Sequence, residues 1–191
     1  MSMPNMMAYT ILGSLYPGAY PLVYVGQSGS QTNFAPSTPA DDTYWILILD
    51  RNNPKTKVKE FIIPGSQNST VPAGLDAYMS NPQYLFAIVT QYLNTLHVPQ
   101  GDWYDYLVKY GAGRELQRLE QINSVLSCGY FGHVSYLLTG QCGPRGAGNY
   151  PPPSYEAGSF QNMVTLLMSL MPGPNGQPPY SICDSNTFRT R

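Results

Sequence analysis

Charge is what this chain has least of. Lys, Arg, Asp and Glu make up 11% of its 191 residues, where about 25% is usual for soluble domains. Ten basic and eleven acidic residues leave a net charge of −1. No run of Lys and Arg interleaves with aromatics, so a surface that tracks phosphates is not expected and nucleic acid is excluded as a partner. The densest basic stretch is Lys55, Lys57 and Lys59. Its spacing of two places all three on one face of a strand, where they read as a solvated edge that discourages further pairing.

Histidine and cysteine are scarce too. The two histidines, His97 and His133, have no partner at metal-ligand spacing, so no metal and no cofactor is expected. Neither has a recognisable base–nucleophile arrangement around it. Gly26-Gln-Ser-Gly-Ser30 superficially resembles the surroundings of a serine nucleophile, but Ser30 stands where the nucleophile elbow needs glycine. Gly111-Ala-Gly113 follows a helix pattern and lacks a third glycine, so it is no dinucleotide fingerprint. Three cysteines, Cys128, Cys142 and Cys183, argue against a complete disulfide framework. They read as small buried thiols, or as one bridge, Cys128–Cys142 or Cys142–Cys183, with one thiol left over.

Long apolar runs are also missing. No stretch of about 18 apolar residues exists, so no membrane span is expected. Pro4, Pro17 and Pro21 interrupt an N-terminus without a basic region, and no signal peptide is visible. The chain therefore stays in the cytosol, leaves by another route, or has lost a leader. Composition favours an extracellular or particle-associated place.

What fills the space is 16 Tyr, 18 Gly and 18 Pro, with many Ser, Thr, Asn and Gln. A hydrophobic content of 42% suffices for a core in one domain. Thr43 to Asp50, TYWILILD, is the clearest strand, apolar through its middle and so buried on both faces. Arg51-Asn52-Asn53-Pro54 turns it, and Val58 to Ile63 returns as a hairpin. Tyr20 to Val25 and Gln83 to Tyr92 are further strands, and Leu75 to Met79 a short helix. Asp102 suits the N-cap of a helix to Tyr110, with Trp103, Tyr106, Leu107 and Tyr110 on one face. Arg114 to Leu126 forms the next helix, buried through Leu116, Leu119, Ile122 and Leu126. His133 to Thr139 returns to strand. Gly143 to Gly158, rich in Pro and Gly, reads as a linker or surface loop. Ser159 to Met171, without a charge, reads as a third helix apolar over most of its circumference. Asn68-Ser-Thr70 fits a glycosylation acceptor.

The order of these elements resembles the interleukin-like EMT-inducer (PANDER-like) domain. WILILDRNNPKTKVKEFI resembles its strand–turn–strand. Leu75–Met79 and Tyr84–Gln91 are similar to its helix and central strand. LVKYG before Ala112 looks like its helix end, and SYLLTGQCG, with Gly140 and Gly143, like its final strand. The likeness spans roughly residues 20–145. Where that family often carries an acidic residue after the central strand, this chain has Gln91 and Asn94. Where it has an Arg-Asp pair before the last strand, this chain has Gly129-Tyr-Phe-Gly132. The resemblance implies a compact α/β domain of mostly antiparallel strands, no enzymatic activity, and carbohydrate binding as in a related module.

The sequence is read as an α/β (α+β) fold of mostly antiparallel twisted sheets with short flanking helices. An arm covers 1–19, the domain 20–145, and a Pro/Gly-rich linker, helix and tail 146–191. Its expected role is a non-enzymatic recognition module for a glycan or a protein surface. Gln91, Asn94, Trp103 and Tyr104 are the ligand-binding candidates, because aromatic faces stack on sugars while amides hydrogen-bond their hydroxyls. The alternative is a structural subunit of a larger assembly, such as a phage or secretion particle. In that reading Leu166 and Leu170 line a homo-oligomer or partner interface.

Overall fold

The computed structural model describes residues 6–27, 29–126, 132–145 and 152–189. The strands are β1 (Met7–Leu12), β2 (Leu22–Gly26), β3 (Thr32–Phe34), β4 (Thr43–Asp50), β5 (Lys57–Pro64), β6 (Tyr84–Gln91), β7 (Leu93–Asn94), β8 (His133–Gln141), β9 (Ser154–Ser159), β10 (Val164–Met171) and β11 (Ser181–Arg189). The helices are α1 (Asp76–Met79), α2 (Gly101–Lys109) and α3 (Arg114–Leu126). Strands β11-β10-β1-β2-β3 form a first sheet, antiparallel throughout. Strands β5-β4-β6-β8-β9 form a second antiparallel sheet, and β7 pairs with the start of β8. The α+β class read from the sequence is the class the chain adopts.

Three layers result, because the second sheet is apolar on both faces. Alternate residues of a strand point to opposite sides. Trp45, Leu47 and Leu49 of β4, with Leu85, Ala87 and Val89 of β6, meet Tyr9, Ile11, Val23 and Val25 of the first sheet. Tyr44, Ile46, Ile48, Phe86 and Ile88 point the other way, onto the helices. There they pack against Leu75, Met79, Trp103, Leu107, Tyr110, Leu116 and Leu119. Burying each such aliphatic side chain stabilises by about 1.5–3 kcal/mol, and this drives the layering.

Several of the polar groups between layers are paired, as burial favours, while Gln91 Oε1 and Trp103 Nε1 are buried without a protein partner. The Tyr9 hydroxyl lies 3.1 Å from Thr139 Oγ1, which donates to Phe86 O at 2.6 Å. The Tyr136 N–H donates to Thr90 Oγ1 at 2.8 Å. Gly13 has to be glycine: a Cβ there would overlap Ser135 Oγ, where β1 crosses β8.

Four expectations are corrected. The described part of the expected arm 1–19 is not an arm, since β1 is the middle strand of the first sheet. Residues 146–191 are not a linker, helix and tail: β9, β10 and β11 run through their described part. The segment 159–171 is strand from Val164, alternating between buried and outward positions. Leu166 and Leu170 are fully buried in the core between the sheets, so they line no interface. Leu167 and Met171 carry the outward positions and are exposed. The pattern was ambiguous because those outward positions are themselves apolar.

The remaining elements fall close to their expected places. Helix α3 has Leu116 and Leu119 buried and Ile122 half-buried. Helix α2 starts one residue before Asp102, with Gln100 as its N-cap, so Asp102 is an acid of the first turn rather than the cap. Its four aromatic and apolar face residues, Trp103, Tyr106, Leu107 and Tyr110, are all buried. Strand β5 is an edge strand, and Lys57 and Lys59 are exposed on it. Cys142 is buried with a free thiol, which sets aside both bridges that would have used it. Cys128 lies outside the described residues.

Candidate functional site

The site begins with the ends of two helices. Residues Pro99 to Gly101 lead into α2, and the Gln100 N–H donates to Asn68 O at 2.8 Å. Gly101 has φ +51, a conformation that favours glycine. No side chain caps the α2 N-terminus, so its first-turn N–H groups are left for another acceptor. Tyr104 sits one turn on, half-buried. Glu120 of α3 faces it. Pro99, Gln100, Gly101, Tyr104 and Glu120 line an open cleft of about 270 Å³. Desolvation pushes the Tyr104 hydroxyl above the ordinary tyrosine value, and the negative charges of Glu120, Asp105 and Glu156 add to the shift. The cleft therefore offers an aromatic face, an anionic acceptor and helix-end donors, in an acidic surround.

Of the four expected ligand residues, only Tyr104 lines this cleft. Trp103, its neighbour, points the opposite way and is 1% exposed, edge-on to Tyr44 and stacked on Tyr106. Gln91 is 1% exposed at the end of β6, with Oε1 lacking a protein partner. Neither side chain can reach a ligand from these positions. Asn94 is half-buried and its Oδ1 accepts from Leu96 N at 2.8 Å, which makes it a local cap. Sequence reading passed over Glu120, because its neighbour in the cleft, Tyr104, lies on another helix.

A second polar cluster lies beside Asn94. Asp42, at φ +57, accepts from Asn94 N at 3.0 Å through Oδ1, and its Oδ2 lies 2.7 Å from His97 Nδ1. Both side chains are about a third exposed. The Tyr44 hydroxyl donates to His97 O. This pair fixes the imidazole, but among the described residues no hydroxyl or thiol hydrogen-bonds to the ring. His133 stacks on Tyr92 at 3.5 Å. Asn68 donates to Val98 O at 2.8 Å, so its amide is engaged in holding this loop. Among the described residues no group of three or more His, Cys, Asp and Glu side chains is placed to hold a metal ion.

No helix among the described residues is long and apolar enough to cross a membrane. Comparison with family models, with curated proteins and with solved structures gives no match.

Proposed function

We propose that the chain is a non-enzymatic recognition module that takes a neutral glycan in the Tyr104–Glu120 cleft. One observation carries this reading: an aromatic face, a carboxylate and an uncapped helix start converge on one concavity. The ring of Tyr104 suits the C–H face of a sugar, and Glu120 accepts from its hydroxyls. The α2 N–H groups donate to ring or carbonyl oxygens of the same ligand. A volume of about 270 Å³ is just below the ~300–1,000 Å³ of small-molecule pockets and suits one sugar unit. The carboxylates around Tyr104 disfavour an acidic sugar. The resemblance to the interleukin-like EMT-inducer domain points the same way.

The test is a glycan array followed by titration of the hits. Tyr104→Ala and Glu120→Gln should each weaken binding about tenfold or more while the protein stays folded. Wild-type affinity in a folded Tyr104→Ala protein would remove the site. Binding of peptides and not glycans would transfer the reading to a protein surface.

The assembly reading draws on a different place. The outward row of β10, Thr165, Leu167, Ser169 and Met171, carries no charge, and Leu167 is 39% exposed. A second copy of the chain is the occupant such a neutral face would meet without like-charge repulsion. Light scattering of wild type against Leu167→Glu separates this reading from the first: a dimer lost in the variant favours it, and a monomer throughout removes it.

A further inference from the structure

At the far end of β4, about 24 Å from its start by strand rise, lies a second polar cleft. Met6, Met7, Gly26, Gln27, Ser30, Lys55 and Tyr180 line it, with a volume of about 270 Å³. Its surroundings are the reverse of the Tyr104 cleft. No carboxylate lines it. Among the described residues Lys55 has no carboxylate within ion-pair distance, in contrast to Lys57, Lys109 and Arg118.

The cation is aimed rather than loose. The Lys55 ammonium donates to the Ser30 backbone carbonyl and lies 3.0 Å from Ser30 Oγ. Two of its three N–H donors are thereby spent on neutral oxygens, and the third is left for a ligand. Its stem runs against Gly26, where φ is +125 and a Cβ would come within 3.1 Å of Lys55 Cε and 2.7 Å of Ser30 O. Glycine is required for this approach. The opposite wall is fixed as well. Tyr180 N–H donates to Arg51 O at 2.9 Å, and Arg51 Nε donates to Tyr180 O at 2.8 Å. Two more of the five Arg51 donors go to Pro82 O and Ser181 Oγ, so the partners it has are neutral oxygens. The two carboxylates nearest Lys55 in sequence are engaged elsewhere: Asp50 accepts from Asn52 N–H, and Glu60 from Lys57 and from Ser37 N–H.

We propose that this cleft is an anion site that takes a sulfate, phosphate or carboxylate group through Lys55 and Ser30, with Tyr180 as its wall. A positive group held by neutral oxygens keeps its full charge for an incoming anion, and a charge-assisted hydrogen bond is the strong kind. The site is independent of the glycan reading and stands or falls without it.

The test is an amide NMR titration of the full chain with sodium sulfate, sodium phosphate and sodium acetate, with sodium chloride at matched ionic strength as control. Saturable shifts are expected at Gly26, Gln27, Ser30 and Tyr180 with at least one oxyanion and not with chloride. The oxyanion that saturates first identifies the class. Lys55→Gln should weaken that binding about tenfold or more, and Ser30→Ala should weaken it less. Lys55 is on a turn, so an unchanged amide spectrum elsewhere verifies that Lys55→Gln is folded. Shifts that fail to saturate, that chloride reproduces, or that survive in Lys55→Gln overturn the proposal.

Discussion

Nδ1 of His97 lies 2.7 Å from Oδ2 of Asp42, and Oδ1 of the same carboxylate accepts from the Asn94 N–H. One side chain thus ties the 94–97 loop to the start of β4, while its backbone carbonyl accepts from Gly65 N–H at 2.6 Å. The residue has to supply an acceptor and also tolerate φ +57. Asp and Asn do both. Asp42→Asn should therefore cost less than Asp42→Ala, which should lose about 1–3 kcal/mol. Both partners are about a third exposed, so a double-mutant cycle with His97→Ala should give a coupling below about 1 kcal/mol. Urea unfolding of wild type, the three single variants and the double variant measures both. An Asn variant less stable than the Ala variant would show that geometry at Asp42 is not the cause.

Glu156 caps a helix it does not belong to. Its carboxylate, on β9, accepts from Glu115 N–H at 2.7 Å, from Leu116 N–H at 3.3 Å and from the Tyr136 hydroxyl at 3.1 Å. It satisfies two orphan donors of α3 and meets the positive end of the helix dipole. Glu156→Ala should lower stability by about 1–3 kcal/mol, and Glu156→Gln by less. Hydrogen exchange should show the first turn of α3 losing protection in the Ala variant before the sheets do. Uniform loss across the protein would contradict a local capping role.

Adjacent leucines on β10 should behave in opposite ways. Leu166 is fully buried between the sheets and Leu167 is 39% exposed. Leu166→Glu places a carboxylate in the core and should leave the protein unfolded. Leu167→Glu should remain folded, with stability within about 0.5 kcal/mol of wild type. Circular dichroism melts decide the matter, and two equally tolerated variants would contradict the strand register.

Burial pushes the Cys142 thiol up to about 12, against the partial pull of Arg145 and Arg51. At neutral pH it should resist alkylation in the native protein and react once urea unfolds it, read by peptide mapping of modified cysteines. The sign of the pH dependence follows. The folded value lies above the ordinary thiol value of 9.0, so the thiol's contribution is fully present below pH 9. It is lost as pH rises toward 12, because the unfolded chain gives up the proton first. Stability should fall over that alkaline range, and less so in Cys142→Ala. Rapid native alkylation at neutral pH would show that the thiol is not enclosed.

Much of the middle of the chain was legible. TYWILILD and YLFAIVTQ are short apolar runs, rich in β-branched and aromatic residues and bounded by turns, the pattern of a strand buried on both faces, and β4 and β6 are those strands. The stripes of α2 and α3 recur at helical spacing and pack where that spacing places them. The site was less legible. Trp103 and Tyr104 are neighbours of similar character, and helix α2 turns one into the core and the other to the cleft. Lys55 reads as one of three evenly spaced lysines, yet Lys57 pairs with Glu60 at 2.7 Å while Lys55 reaches Ser30, 25 residues away.

By itself the sequence determined the α+β class, the β4–β5 hairpin and the buried faces of α2 and α3, since each depends on spacing within one segment. Tertiary structure alone decided that Val164–Met171 is a strand. Its apolar residues fit both a period of two and a period of 3.6, so local pattern left two solutions. The choice was made by β1, which pairs Met7 with Leu170 and Leu12 with Thr165 across more than 150 residues of sequence. A ladder between such distant segments satisfies the backbone of both at once. Neither sequence carries a record of the other, because strand formation depends on the neighbours a segment meets more than on its own propensity.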